Sequence, residues 1–284
     1  MPCALELGGS DPAVVLDDAD LDAAASGILW GRFSNAGQTC VAPKRVYVAA
    51  GVHDAFVSAL EGAVARLRVR KPNDDSWEVG ALISAGALDP LARLRDAAAA
   101  AGARVVTPGD AASMAGVFAP TLLLDVPPGA AVLEEETFGP LLPIIAVPDA
   151  AAAISLANAS SFGLSASVWS RSRALARAVA SQLNAGTVTI NDVALAAGLA
   201  EVPHGGMKQS GHGRSHGLAG LDECVRTRTV VDDILPGVRQ PWWFPYGASM
   251  TSEVDAYARL AHGRTLRERL SGLPGTLRLL RRKS

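Results

Sequence analysis

Three features of the sequence predict an α/β fold. Compact apolar runs at residues 141–147, 166–169 and 187–190 have the length and composition of buried strands. Amphipathic helical stretches at 150–158 and 174–183 separate those runs. Turns rich in glycine or charge punctuate the chain between them. Strand and helix alternating in this way is the pattern of layered α/β architecture.

The remaining elements follow in order. Residues 4–7 read as a strand ending at Gly8 and Gly9, and residues 14–16 as the next apolar run. Asp17, Asp18 and Asp20 then supply acids and a cap for a helix running to about Phe33, with Leu21, Ala25, Ile28 and Leu29 on one face. A turn at 35–38 leads to a strand at 45–48, and helices follow at 53–68 and 88–101. Residues 104–106 and 121–124 read as short strands, and 226–231 as a late strand at a sheet edge or crossing into another subunit. Beyond Pro236 the composition changes to an aromatic cluster at 241–246 and a basic helical stretch at 253–270.

At 284 residues, with 49% hydrophobic and 19% charged content, the chain has room for a buried core and one or two domains. Its formal net charge of −2 gives no footprint for nucleic acid. The charge is uneven, however. Residues 259–284 hold eight Lys/Arg and one acid, leaving −9 for residues 1–258, which predicts a separate C-terminal module. Cys3, Cys40 and Cys224 form no CxxC pair or zinc-ligand cluster, so a disulfide scaffold and a metal site are not expected. His204, His212 and His216 lack a cysteine or carboxylate partner in sequence and are also discounted as ligands. The N-terminus has no export pattern and no apolar run reaches the ~18 residues of a membrane span, so a cytoplasmic location is expected.

Two residues carry the chemistry. Cys40 ends the small-residue turn Asn35-Ala36-Gly37-Gln38-Thr39-Cys40, where backbone N–H groups at a helix end can face a developing oxyanion. Glu6 stands at a strand end before Gly8 and Gly9, which let the chain pass close to a ligand. A thiolate suits covalent attack on a carbonyl, and a carboxylate suits activation of the water that frees the product.

The segments Glu6-Leu7-Gly8-Gly9 and Phe33-x-Asn35-x-Gly37-Gln38-x-Cys40 resemble the paired signatures of the aldehyde dehydrogenase superfamily. Further segments agree in order: Glu135-Glu136-Thr137-Phe138-Gly139-Pro140, residues 158–168, and residues 187–191 followed by the glycine-rich loop 203–214. The resemblance covers residues 4–231 and implies an open, mostly parallel sheet. It also implies oxidation of a small aldehyde to a carboxylic acid with NAD or NADP. In that reading Cys40 forms a thiohemiacetal and then a thioester, with its own backbone N–H on the oxyanion. Glu6 activates the hydrolytic water. Glu136 holds the nicotinamide ribose, Phe138 packs near the nicotinamide ring, and Gly8 lines the cofactor side. Phe33 and Asn191 match positions near the substrate pocket, although Asn191 reads equally well as a strand-end turn residue. Lys208 and Ser210 read as loop architecture.

In the family the dinucleotide-binding domain lies mostly before the Glu-Leu-Gly-Gly strand, and five residues precede Glu6 here. The expected organisation is therefore a remnant strand at 1–9, a catalytic domain with an oligomerisation strand at 10–232, and an extension at 233–284. A truncated enzyme is expected, pairing as a homo-oligomer or with a complementary nucleotide-binding half. Two alternatives stand beside it: an esterase using Cys40 without cofactor, and a non-catalytic fragment associating with a full-length subunit. For the extension, one reading packs the aromatic cluster on the catalytic domain or a second subunit. Another lays a basic helix on an anionic membrane or over the substrate tunnel, with Leu273, Leu277, Leu279 and Leu280 as its apolar face.

Overall fold

A computed structural model describes residues 3–69, 77–108, 116–232, 243–244 and 247–281. The chain divides into two compact units, Met1–Arg226 and Thr227–Ser284.

The first unit opens with β1 (Leu5–Glu6), β2 (Asp11–Val15), α1 (Leu21–Phe33), β3 (Pro43–Ala49) and α2 (His53–Val64). Next come α3 (Leu88–Ala100), β4 (Arg104–Val106), β5 (Thr121–Leu124), α4 (Ala131–Glu134), β6 (Leu141–Val147) and α5 (Ala150–Ala159). The unit closes with β7 (Phe162–Gly163), β8 (Ser165–Trp169), α6 (Arg173–Ala180), β9 (Thr187–Ile190), β10 (Met207–Lys208), β11 (Gly211–His212) and α7 (Gly217–Glu223).

Seven strands form one open sheet in the order β4-β5-β6-β3-β2-β8-β9. Every neighbouring pair is parallel except the edge pair β4–β5. The central strands are buried on both faces, as parallel strands covered by helices must be. Alternate residues sort accordingly. Ala13, Val15, Val46 and Val48 join Ile28 of α1, Phe56 and Leu60 of α2, and Leu91 of α3 in one core. Val14, Tyr47 and Val168 point to the opposite face and meet Ala153 and Ala157 of α5 and Ala176 and Val179 of α6. The helices start where side-chain caps satisfy free N–H groups: Asp20 accepts from Ala23 and Asp149 from Ala152.

The late strand expected at 226–231, at a sheet edge or crossing into another subunit, has no partner strand within this chain's described residues. The segment makes no ladder among the described residues, and Val230 and Val231 are exposed. A strand exists only through its hydrogen-bonded neighbour, and this segment has none within the described chain. The unit boundary at Arg226 falls inside it.

In the second unit the expected helix 253–270 is two helices, α8 (Met250–His262) and α9 (Leu266–Leu280), broken at Gly263. Thr265 and Glu268 form a reciprocal capping box that restarts the chain as α9. Of the aromatic cluster only Trp243 and Phe244 lie among the described residues; the segment 233–242 and Lys283 lie outside them.

Candidate active site

Parallel strands put their starting ends on one edge of the sheet, and the chemistry-bearing loops gather there. Residues 6–10 lead into β2, the 3-10 turn Ser34–Gly37 and Cys40 lead into β3, and residues 135–140 lead into β6. The loop after β9 returns to the same edge through two short antiparallel ladders, β10 with β7 and β11 with β1. Open α/β sheets more often hold ligands at the opposite, carboxyl ends of their strands.

Two glycines set the spacing. A Cβ on Gly9 would sit 2.6 Å from the Cys40 carbonyl oxygen, so only glycine lets the two loops touch. A Cβ on Gly8 would lie 2.1 Å from a carboxylate oxygen of Glu136. The Glu136 carboxylate instead folds over that gap, where its Oε1 accepts the Gly9 N–H at 3.0 Å. Lys44 ties the cluster together. Its Nζ donates to the carbonyls of Thr39 (3.0 Å) and Cys40 (2.8 Å) and stands 3.4 Å from Glu136 Oε1. The turn carries strain, since Asn35 and Ala36 hold φ values of 53° and 54°. For a residue with a Cβ the left-handed region costs roughly 1–2 kcal/mol, a kind of strain that clusters at functional sites.

Cys40 is half-buried. Burial pushes its thiol up, and the negative charge of Asp11 adds to that, while Lys44 and the backbone N–H groups of Val41 and Cys40 pull the other way; the net effect is upward. Lys44 is pushed down, first by its own burial. Beneath both, the guanidinium of fully buried Arg32 donates to the carbonyls of Thr137, Gly139 and Leu141, pinning the Glu136 loop to α1.

Asp11 lies wholly buried below the loop and accepts hydrogen bonds from the N–H and hydroxyl of Ser165. Burial pushes its carboxyl up from 3.8 to about 6, against Lys44, Ser165 and Arg45. The folded chain therefore holds this proton more tightly than the unfolded chain. The resulting stabilisation is complete below pH 3.8 and is lost as pH rises through about 6, on the order of 3 kcal/mol in all. Asp11→Asn mimics the protonated form. In denaturant titrations it is expected to gain on the order of 3 kcal/mol relative to wild type between about pH 4 and pH 7. An unchanged difference across that window would contradict the assignment.

Glu6 is placed by the β1–β11 ladder, where it pairs with Gly211. Its Oε2 lies 3.3 Å from Nε2 of buried His204, in the glycine-rich loop, and its Oε1 would stand 3.1 Å from a Cβ on Gly205. Among the described residues Glu6 is joined to His204 and not directly to Cys40. His204 also stacks at 5.9 Å on His216.

The other expected site residues sort differently. Phe138 is largely exposed beside Glu136, open to a ligand. Phe33 is 2% exposed and packs in the hydrophobic core. Asn191 ends β9 with φ 54°; its amide accepts from the Ser170 N–H and donates to the Ser170 carbonyl, each at 2.9 Å. Its side chain thereby ties the ends of β8 and β9 together. Lys208 likewise braces the loop by donating to the carbonyls of Asn158 and Ser160. Lys44, Asp11, Arg32 and His204 were not singled out as site residues by sequence. The available signal was the adjacent pair Lys44 and Arg45 at the head of an otherwise apolar strand.

This arrangement of fold and loops defines a class, and comparison with known proteins gives it a name. The profile of the aldehyde dehydrogenase family matches residues 1–230, and the chain belongs to that family. It is 40% identical over 263 residues to the 4,4'-diapolycopene aldehyde oxidase of Methylomonas sp, covering 93% of this chain and 49% of that protein. It is 42% identical over 226 residues to the glutarate-semialdehyde dehydrogenase of Pseudomonas aeruginosa, covering 79% of this chain and 46% of that one. Among solved structures, lactaldehyde dehydrogenase from Escherichia coli superposes with a TM-score of 0.76 at 38% identity, over 80% of this chain and 48% of that one. The NADP complex of glyceraldehyde-3-phosphate dehydrogenase from Bacillus halodurans gives 0.75 at 40% identity, over 79% and 46%. The chain thus spans about half the length of the relatives it matches. The 263 matched residues outrun the 230 of the family profile, so the likeness to the diapolycopene protein continues into the C-terminal unit.

Proposed function

We propose that the chain carries the acyl-transfer half of an aldehyde dehydrogenase site, with Cys40 as nucleophile and Glu6 as the base that frees the product. The observation that carries this reading is the contact of Gly9 with the Cys40 carbonyl, which brings the Glu6 loop onto the nucleophile turn. The Cys40 thiolate adds to the aldehyde carbon, and the oxygen that becomes negative is received by backbone N–H groups of the turn. NAD or NADP, if held by Glu136 and Phe138, would supply the hydride acceptor that takes the thiohemiacetal on Cys40 to a thioester. Glu6, oriented by His204, takes a proton from water as it attacks the thioester, releasing the carboxylic acid and restoring the thiol.

The residues present fit such a cofactor. Glu136 has one oxygen on the Gly9 N–H and Lys44 and the other over Gly8, so a carboxylate acceptor is held firmly at the edge of the site for ribose hydroxyls. Phe138 offers an exposed ring beside it. The relatives are named for semialdehydes and for 4,4'-diapolycopene aldehyde. The match to the 4,4'-diapolycopene aldehyde oxidase runs past residue 230, so an aldehyde of the kind that protein is named for is the substrate class favoured here.

Hydride transfer demands that the nicotinamide be fixed against the thiohemiacetal carbon. The 284 residues tested alone are expected to form NADH or NADPH from an aldehyde at less than roughly a thousandth of the rate of a full-length relative. Absorbance of the reduced nicotinamide measures it, and a rate close to the relative's would overturn the division of labour. The same thioester forms from an activated ester without any cofactor, so esterase activity through Cys40 is the second reading. It is favoured by the presence of Cys40, Glu6 and His204 in one unit.

A further inference from the structure

The face of α9 that looks away from α8 is built from leucine and arginine. Gly272 and Gly275 let the two helices pack backbone to backbone. A Cβ on Gly272 would lie 2.2 Å from the Ala256 carbonyl oxygen, and one on Gly275 would lie 2.3 Å from the Ala256 Cβ. That contact, completed by buried Thr276 and Leu279, turns the inner face of α9 to its partner. Leu279 is therefore 3% exposed and drops out of the apolar face expected from sequence. The outer face carries Leu266, Leu270, Leu273, Leu277 and Leu280, each 42–74% exposed. At about 100° per residue these five fall in one stripe about 80° wide. On the same wheel Arg269 borders one side, and Arg281, Arg267 and Arg278 border the other. The only acid in the stretch 259–284 is Glu268, and its carboxylate is committed to the N–H groups of Arg264 and Thr265. Trp243 and Phe244, ahead of the hairpin, are also exposed.

We propose that the α8–α9 hairpin docks the chain on an anionic membrane surface, with the leucine stripe in the interface and the arginines on lipid headgroups. A stripe of this width with cationic borders is the design of a helix that lies in the plane of a bilayer. Among the described residues no helix is long and apolar enough to cross one. A second copy of the hairpin is a poorer occupant of the stripe. Paired helices use complementary charges beside their apolar seam, and here arginine would face arginine. The proposal is independent of the catalytic reading above.

The test is co-sedimentation of the full chain with vesicles, together with light scattering of the chain alone. At low salt the chain is expected to pellet with phosphatidylcholine vesicles containing ~30 mol% phosphatidylserine and to stay in solution with pure phosphatidylcholine. The affinity is expected to fall by roughly tenfold or more at high salt, and by at least as much in Leu273→Glu/Leu277→Glu and in Arg267→Glu/Arg278→Glu. Because the arginine pair keeps the stripe intact, and circular dichroism reports the helices in both variants, loss of folding is separated from loss of docking. Cys40→Ser is expected to bind as wild type, so failure of the acyl-transfer reading leaves this result standing, and the reverse also holds. Equal partitioning onto neutral and anionic vesicles, or onto neither, would overturn the proposal. So would a dimer that the leucine pair dissolves in a chain that ignores vesicles, since the stripe would then belong to a second copy.

Discussion

Cys40→Ser is expected to lower hydrolysis of p-nitrophenyl acetate by the chain by roughly 10³-fold or more. The hydroxyl of serine is far less acidic than a thiol, and among the described residues no side-chain base is hydrogen-bonded to Cys40. Lys44 acts on Cys40 through its charge, but its ammonium is spent on the carbonyls of Thr39 and Cys40 and on Glu136. The cysteine itself is not strongly activated. Burial lifts its pKa, with Asp11 adding to the lift, and the opposition of Lys44 and two backbone N–H groups is the weaker side. Only a minor fraction is thiolate at neutral pH, so the acylation rate is expected to climb with pH through the ordinary thiol range and beyond. A stopped-flow profile that plateaus below pH 7 would show a thiol activated in a way this site does not provide. Equal rates in wild type and Cys40→Ser would remove Cys40 from the chemistry.

Glu6→Gln separates the two halves of the same turnover. Acylation of Cys40 is expected to survive, because the carboxylate does not touch the thiol. Deacylation is expected to slow by about 10²–10⁴-fold, the usual range for loss of a general base. The trace should therefore show a burst of about one p-nitrophenol per active chain followed by a nearly flat line, the mark of an accumulated acyl-enzyme. In the proposed reading His204 serves the same step, its Nε2 standing 3.3 Å from the Glu6 carboxylate. Loss of the burst together with the steady rate would mean that Glu6 is needed to build the site rather than to hydrolyse the thioester.

The sheet was legible wherever an apolar run was long enough to show its period and was closed by turn residues. Strands 104–106, 121–124, 141–147 and 187–190 form at the residues expected. The two-residue ladders that position Glu6 and the glycine-rich loop carry no period at all, so only tertiary structure reveals them. Helix α9 misled for a different reason. Its packed face is made of Gly272, Gly275 and Thr276, which do not read as apolar, and Leu279 was assigned to the wrong side as a result. At the site, Cys40, Glu6 and Glu136 stand out in sequence through their motifs, and the fold brings the Gly9 and Glu136 loops onto the Cys40 turn. The charges beneath them do not stand out, because Arg32, Lys44 and Asp11 are residue types that sequence reasoning sends to the surface, yet all three are buried and held by carbonyls or hydroxyls. Asn191 shows a further limit: its position matched a pocket motif, while the actual bonds of its amide go to Ser170.

The most direct measurement is peptide mass spectrometry of Glu6→Gln quenched during the burst with p-nitrophenyl acetate. One acetyl group on the peptide containing Cys40, absent from Cys40→Ser and lost on brief treatment with hydroxylamine, is the predicted result. An unmodified Cys40 peptide, or acetyl found on Lys44 or on Cys3 or Cys224 in its place, would contradict the assignment of Cys40 as nucleophile and of Glu6 as the group that releases it.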